Sequence, residues 1–266
     1  MAAFEHIKVD RWPGLSRVGR VTLSRPQAGN AMSDQTLKEL AGAFRVMSAD
    51  AELRAVIVVG DGKHFCAGAD IEWMKRAGTL PPEEGGKDAR LLWDMLSAVG
   101  DCAAPVIVAA HGAVYGGGLG LLAACDVALA ADDAKFCFSE VRLGIMPAVI
   151  SCFVLPKIGA ANARRYYLTA EVFDAARARE LGLVHEIASG SELIARAETL
   201  AAQISSNGPK AVRTAKRLVL RFNEWSPEEQ VDNVIETLVS LRSGPEGQEG
   251  LAAFLEKRQA RWTKSG

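Results

Sequence analysis

Two stretches of this chain leave the fold little choice: "AVIVVG" at 55–60 and "PVIVAA" at 105–110 contain no polar side chain. A strand with one face in water alternates apolar and polar residues. An unbroken apolar run of this length suits a strand covered on both faces, as in a parallel sheet flanked by helices. Each run leads into a loop of small residues and then a helix start. The sequence therefore predicts βα units, and a length of 266 residues fits one α/β body with a helical appendage.

The remaining elements follow from periodicity and turn chemistry. Phe4–Val9 and Arg17–Leu23 alternate as two strands joined by a Trp-Pro-Gly turn at 12–14. Ser33 precedes helical spacing at Leu37, Leu40, Phe44 and Met47. A loop over 61–70 and a short helix from Ile71 come next, and Thr79–Asp88 has the proline and glycine density of a mobile loop. A helix is predicted over 89–99, an apolar helix over 117–124, and short strands at "VALA" and "KFCFS". Helical spacing then dominates: 160–168, 174–181, 193–204, 210–222, 227–241 and 247–261. The predicted division is a core over 1–200 and a helical region over 201–266 used in contacts between subunits.

Charge excludes some functions. The formal net charge is −1 with no basic face, which argues against a nucleic-acid partner. Cys66, Cys102, Cys125, Cys137 and Cys152 are odd in number and form no CxxC pair, so neither a zinc site nor a disulfide framework is expected. Free thiols suit a cytoplasmic location. No apolar run is long enough for a membrane span, and no N-terminal signal is read.

Three glycines in "HGAVYGGGLGLLAACD" (111–126) need a reason, because glycine weakens helices and strands alike. One candidate is a dinucleotide fingerprint, Gly118-x-Gly120-x-x-Ala123, with Asp132, Asp133 or Glu140 as the ribose acid. Seven residues lie between Ala110 and Gly118, whereas that fingerprint wants its glycines at the strand end. A Walker loop and a G-x-S-x-G elbow are both absent. His6, His64, His111 and His185 are scattered without ligand spacing, so no metal site is expected, and His111 is placed to satisfy backbone at a strand end.

The other candidate joins "HFCAGADI" (64–71) and "YGGGLG" (115–120), the loops that follow the two apolar strands. Helix starts present unpaired N–H groups and partial positive charge. Two of them facing one point would hold a carbonyl oxygen as it becomes negative. The glycines would then let that oxygen reach the backbone; alternatively, they only let a helix pack closely on a strand.

At this point the chain resembles a known family. "SRPQAGNAMS" (24–33), "FCAGADI" (65–71), "PVIVAAHGAVYGGGLGLLAACDVALAADDAKFCFSEVRLGIMPA" (105–148), "ARELGLVHEI" (178–187) and "AAFLEKRQARW" (252–262) resemble the crotonase superfamily of enoyl-CoA hydratases and isomerases, in order and spacing. The resemblance implies an α/β, ClpP/crotonase-like fold of repeated ββα units with a helical C-terminal region, assembled as a trimer or a dimer of trimers. It implies no permanently bound cofactor, with coenzyme A as the carrier part of the substrate. The thioester carbonyl would sit between the backbone N–H groups of Ala69 and Gly117, and Glu140 would act as the acid–base group. Arg25, Ala28, Ala67, Gly68, Asp70 and Ile71 would line the coenzyme A path, with Asp70 anchoring its loop. Phe254 and Lys257 would touch the nucleotide of their own or a neighbouring subunit.

One position departs from the family. The prototype hydratases carry a first glutamate three residues beyond Gly117, where this chain has Gly120. Either Glu140 handles both protons of a hydration, or the enzyme moves a double bond with a single base. Ala148 stands where a glycine N–H helps hold water in the two-glutamate enzymes, and alanine keeps that N–H. Segments around 69–78, 116–151 and 163–187 are most similar to bacterial methylglutaconyl-CoA hydratases of leucine and isoprenoid breakdown. Such a substrate ends in a carboxylate, for which Lys75 and Arg76 are the candidate cations.

Overall fold

The structure, a computed structural model, describes residues 4–263. Its chain order is β1 (Ile7–Trp12), β2 (Leu15–Leu23), α1 (Asp34–Ala49), β3 (Ala55–Gly60), α2 (Ile71–Ala77), α3 (Pro82–Gly100), β4 (Val106–Ala110), β5 (Ala113–Tyr115) and α4 (Gly117–Ala124). There follow β6 (Val127–Ala131), β7 (Lys135–Cys137), α5 (Ser151–Thr169), β8 (Phe173–Asp174), α6 (Ala175–Glu180), β9 (Glu186–Ala188), α7 (Leu193–Ser206), α8 (Pro209–Arg221), α9 (Pro227–Ser243) and α10 (Pro245–Leu255).

The larger sheet runs β1-β2-β3-β4-β6-β9, antiparallel between β1 and β2 and parallel elsewhere; the smaller runs β5-β7-β8. The chain visits them in turn. β4 leads to β5 and then α4; β6 leads to β7 and then α5. In the two preceding turns the second strand shrinks to single bridges, Met32 with Ala69 and Cys66 with Val114, before α1 and α2. Repeated ββα turns are the result.

Alternate residues of the apolar runs serve two cores. Val56, Val58, Val106, Val108 and Ala110 pack towards α1, α3, α4 and α5, while Ala55, Ile57, Ile107 and Ala109 pack towards Leu193, Ala197 and Ala201 of α7. This is the two-sided burial the sequence predicts.

Several boundaries differ from the sequence expectations. The first hairpin is shifted, with Trp12 inside β1 and the turn at Pro13 and Gly14. The expected loop over 79–88 is largely helix, since α3 starts at Pro82 with Glu83 and Glu84 in its first turn. Proline at the first helical position and acids beside the positive helix end outweigh Gly85 and Gly86 there. The helix expected over 160–168 starts at Ser151 and is broken at Gly159, which has φ 70°. The division at 200/201 cuts through α7, because Ala197 and Ala201 are one apolar stripe in the core; the appendage begins with α8.

Candidate active site

The loop before α2 is held by its own backbone. Asn30 Nδ2 donates to the carbonyls of Asp61 and His64, Cys66 N–H donates to Ala113, and Tyr115 N–H donates to Cys66. Met32 N–H donates to Gly68 and Asp70 N–H donates to Met32. In a parallel bridge the residue between two such bonds turns its N–H the other way. That residue is Ala69, and its N–H has no acceptor among the described residues. Asp70 then caps α2, accepting from Glu72 N–H at 3.0 Å and Trp73 N–H at 3.1 Å, and pairs with Arg25 at 2.9 Å.

The second loop is set by Gly116, whose φ 48° and ψ −116° exclude other residues without strain. Its N–H donates to Cys137, and its carbonyl accepts from Leu119 and Gly120. Gly117, the first residue of α4, keeps an orphan N–H with no acceptor among the described residues. Ala69, Gly117 and Glu140 line one cavity of about 230 Å³.

Each glycine has its own reason. A Cβ on Gly118 would stand 2.8 Å from Cys66 Cβ, so this residue permits close helix–strand packing. A Cβ on Gly120 would stand 2.4 Å from Ile150 Cγ2. A Cβ on Gly117 would meet only the flexible end of Met32, 3.2 Å away. Close packing therefore accounts for Gly118 and Gly120 but not for Gly117.

Glu140 opens a short 3-10 turn after β7. Its Oε1 lies 3.5 Å from where a Cβ on Gly116 would be, and its Oε2 is buried without a hydrogen-bond partner. Burial pushes its carboxyl above the usual glutamate value. A carboxyl so placed can take and return protons in the cavity, beside two N–H groups that can hold a negative oxygen.

The dinucleotide alternative fails on this geometry. Gly118 and Gly120 lie buried within α4, against Cys66 and Ile150, with no turn open to a pyrophosphate. The histidines serve local structure. His6 meets Thr36 and Ser33 side chains, His64 and His185 accept from Ala113 and Ala128 N–H, and His111 Nε2 meets the Gly62 carbonyl. Burial raises the Cys66 thiol to about 11 and the Cys125 thiol to about 12, which leaves both poor nucleophiles. No group of His, Cys, Asp and Glu suited to a metal occurs among the described residues, and no helix there is long and apolar enough to cross a membrane.

The other expected residues divide into two places. Ala67 N–H donates to Gly29, next to Ala28, so Ala28, Ala67 and Gly68 stand beside the Arg25–Asp70 pair. Ile71 is exposed at the start of α2. The Arg25 guanidinium is committed to Asp70 and the Ala31 carbonyl. Phe254 lies in the last turn of α10 and Lys257 in the turn beyond it, both outside the cavity lining, with Phe254 80% exposed. Lys75 and Arg76 do not line the cavity either; they pair with Glu72 and Asp34. Ala148 lines the cavity, but its N–H already donates to Met146 at 2.7 Å.

Sequence reasoning missed Ile150, Trp73 and Asp88 as lining residues. Ile150 carries no local signal, since its partner Gly120 lies a helix and two strands earlier. Asp88 fell in the segment expected as loop. As part of α3 it accepts from Trp73 Nε1 at 2.9 Å.

The sequence profile of the Enoyl-CoA hydratase/isomerase family matches residues 15–265, and the chain belongs to that family. It has the crotonase fold: the crystal structure of an enoyl-CoA hydratase from Shewanella pealeana superposes with a TM-score of 0.92 at 33% identity, covering 97% of this chain and 96% of that one. A Mycobacterium tuberculosis protein described as "Probable enoyl-CoA hydratase echA8" is 36% identical over 261 residues, 98% of each chain. The peroxisomal Delta(3,5)-Delta(2,4)-dienoyl-CoA isomerase of Arabidopsis thaliana is 31% identical over 275 residues, 99% of each.

Proposed function

We propose that this enzyme adds water to, or removes it from, an enoyl-CoA thioester through an enolate. The observation that carries the proposal is the convergence of two unpaired N–H groups and one buried carboxyl on the same cavity. The thioester oxygen accepts from Ala69 and Gly117 N–H. Glu140 takes a proton from water as its oxygen bonds to C3, electrons move onto the thioester oxygen, and Glu140 returns the proton to C2. Each N–H contributes roughly 2.7–4 kcal/mol to the transition state.

A second reading, migration of the double bond, is favoured by two observations. Ile150 fills the space beside Gly120 with hydrocarbon, and the Ala148 N–H is occupied, so the described site offers water neither a carboxylate at position 120 nor that amide. Here Glu140 removes a proton from C2 of a 3-enoyl ester and returns it at C4. Incubation of 2- and 3-enoyl-CoA esters in heavy-oxygen water separates the two. Label at C3 means hydration; a moved double bond without label means isomerisation; neither, with the protein folded and the ester bound, removes both.

Coenzyme A is placed along the Ala28–Ala67 edge, with Phe254 and Lys257 reaching a nucleotide in an assembly of three or six copies. Exposed apolar residues on α8, α9 and α10 support that assembly, and the free thiols support a cytoplasmic location. A methylglutaconyl-CoA role in leucine breakdown rests on sequence resemblance alone. It calls for a cation at the far end of the acyl chain, and the charged residues lining the cavity are Asp88 and Glu140, both acids.

A further inference from the structure

We infer that the acyl cavity selects uncharged acyl chains and that Asp88 is a specificity-determining residue that turns away chains ending in a carboxylate. The inference rests on reading the cavity as an acyl-CoA site. Apart from Asp88 and Glu140, its walls are uncharged and mostly hydrocarbon, with Leu37, Met74, Leu92 and Val149 among them. Its volume of about 230 Å³ lies below the ~300–1,000 Å³ of sites for larger ligands, and suits a short chain.

Asp88 is fixed rather than free to swing away. It lies on α3, half-buried, and accepts from Trp73 Nε1 on α2 at 2.9 Å, so α2 and α3 together hold its charge at the wall. The cations nearest in sequence are engaged elsewhere: Lys75 with Glu72, Arg76 with Asp34, Lys87 with Glu83 and Arg90 with Asp94. None of the four lines the cavity. A carboxylate on the acyl chain would lose water to hydrocarbon walls and meet a like charge, both unfavourable. A neutral chain meets neither penalty. Partial exposure of Asp88 screens the repulsion, so the effect is a preference of about tenfold or more, not an absolute bar.

The test compares two unreactive thioesters of equal chain length, hexanoyl-CoA and adipoyl-CoA, by calorimetric titration of the intact protein. The wild type is expected to bind hexanoyl-CoA at least ~10-fold more tightly. Asp88→Asn keeps an oxygen for Trp73 and removes the charge; it is expected to reduce that ratio several-fold, and added salt is expected to reduce it more in the wild type than in the variant. A role confined to holding α3 would move both affinities together and leave the ratio, which would overturn the proposal. So would equal binding of the two esters by the wild type. If the folded wild type binds neither ester, the acyl-CoA reading itself falls, and the selectivity with it.

Discussion

Glu140 is subject to opposed demands. One of its oxygens is buried without a partner, which favours the neutral carboxyl, while acting as a base requires the charged form. Its folded pKa is raised above the ordinary value, so the stability it contributes is present in acid and lost as pH rises through that folded pKa. Above that folded pKa the charged group therefore opposes folding. Glu140→Gln is expected to raise Tm by ~2–4 °C, as relief of about 1 kcal/mol would in a chain of this size, and to cut kcat by ~10²–10⁴-fold. Scanning calorimetry and steady-state kinetics check the two halves. In the wild type, kcat/KM is expected to fall as pH drops through a value above the ordinary glutamate 4.5, and that limb is expected to vanish in the variant. Gly120 makes a different prediction. Its Cβ position lies 2.4 Å from Ile150 Cγ2, so Gly120→Glu alone should destabilise by ~1–3 kcal/mol or more. Adding Ile150→Ala should recover part of that loss, and urea unfolding of the two single variants and the double variant measures the coupling.

At the scale of elements, the site depends on where two helices begin. α2 has seven residues, too few to hold itself, and Asp70 fixes its start through Glu72, Trp73 and Arg25. Asp70→Ala is expected to cost ~1–2 kcal/mol in global stability. Activity should fall further than that loss predicts, because Ala69 precedes the cap directly; comparing kcat/KM with the urea midpoint tests this. Such dependence also explains what could be read from the sequence. β3, β4 and α4 are legible because burial all round writes an unbroken apolar run, and α1 because a capped apolar stripe writes a periodic one. Ala69 and Gly117 were legible as small residues between a strand and a helix, and their family motifs located them. β5, β8 and β9 are two or three residues long and exist only through their neighbours, so no local pattern marks them. The start of α3 was misread because Gly85 and Gly86 masked the proline and acids of a helix beginning. With it went Asp88. The contact of Ile150 with Gly120 is purely tertiary, and the occupied N–H of Ala148 follows from a local turn that residue types do not specify.

At the scale of the molecule, the last three helices differ from the body. Among the described residues, α8 and α9 contain no buried residue and α10 only Ala253. Ile235 and Leu238 of α9 are 55% and 60% exposed, and Val219 of α8 is 75% exposed. An apolar face of this kind is expected to be covered by other copies. Sedimentation equilibrium should give a mass of three or six times 28.4 kDa, and Ile235→Asp with Leu238→Asp should lower it. α8 is joined to the body mainly by polar ties: Arg213 donates to the carbonyls of Asp50, Ala51 and Leu53, and Lys216 pairs with Asp126 at 2.7 Å. Asp126 in turn accepts from Val106 N–H at the head of β4. Every one of those acceptors belongs to a segment translated well before α8. The arm therefore has nowhere to dock until the 50–53 loop and the head of β4 have taken their places in the body.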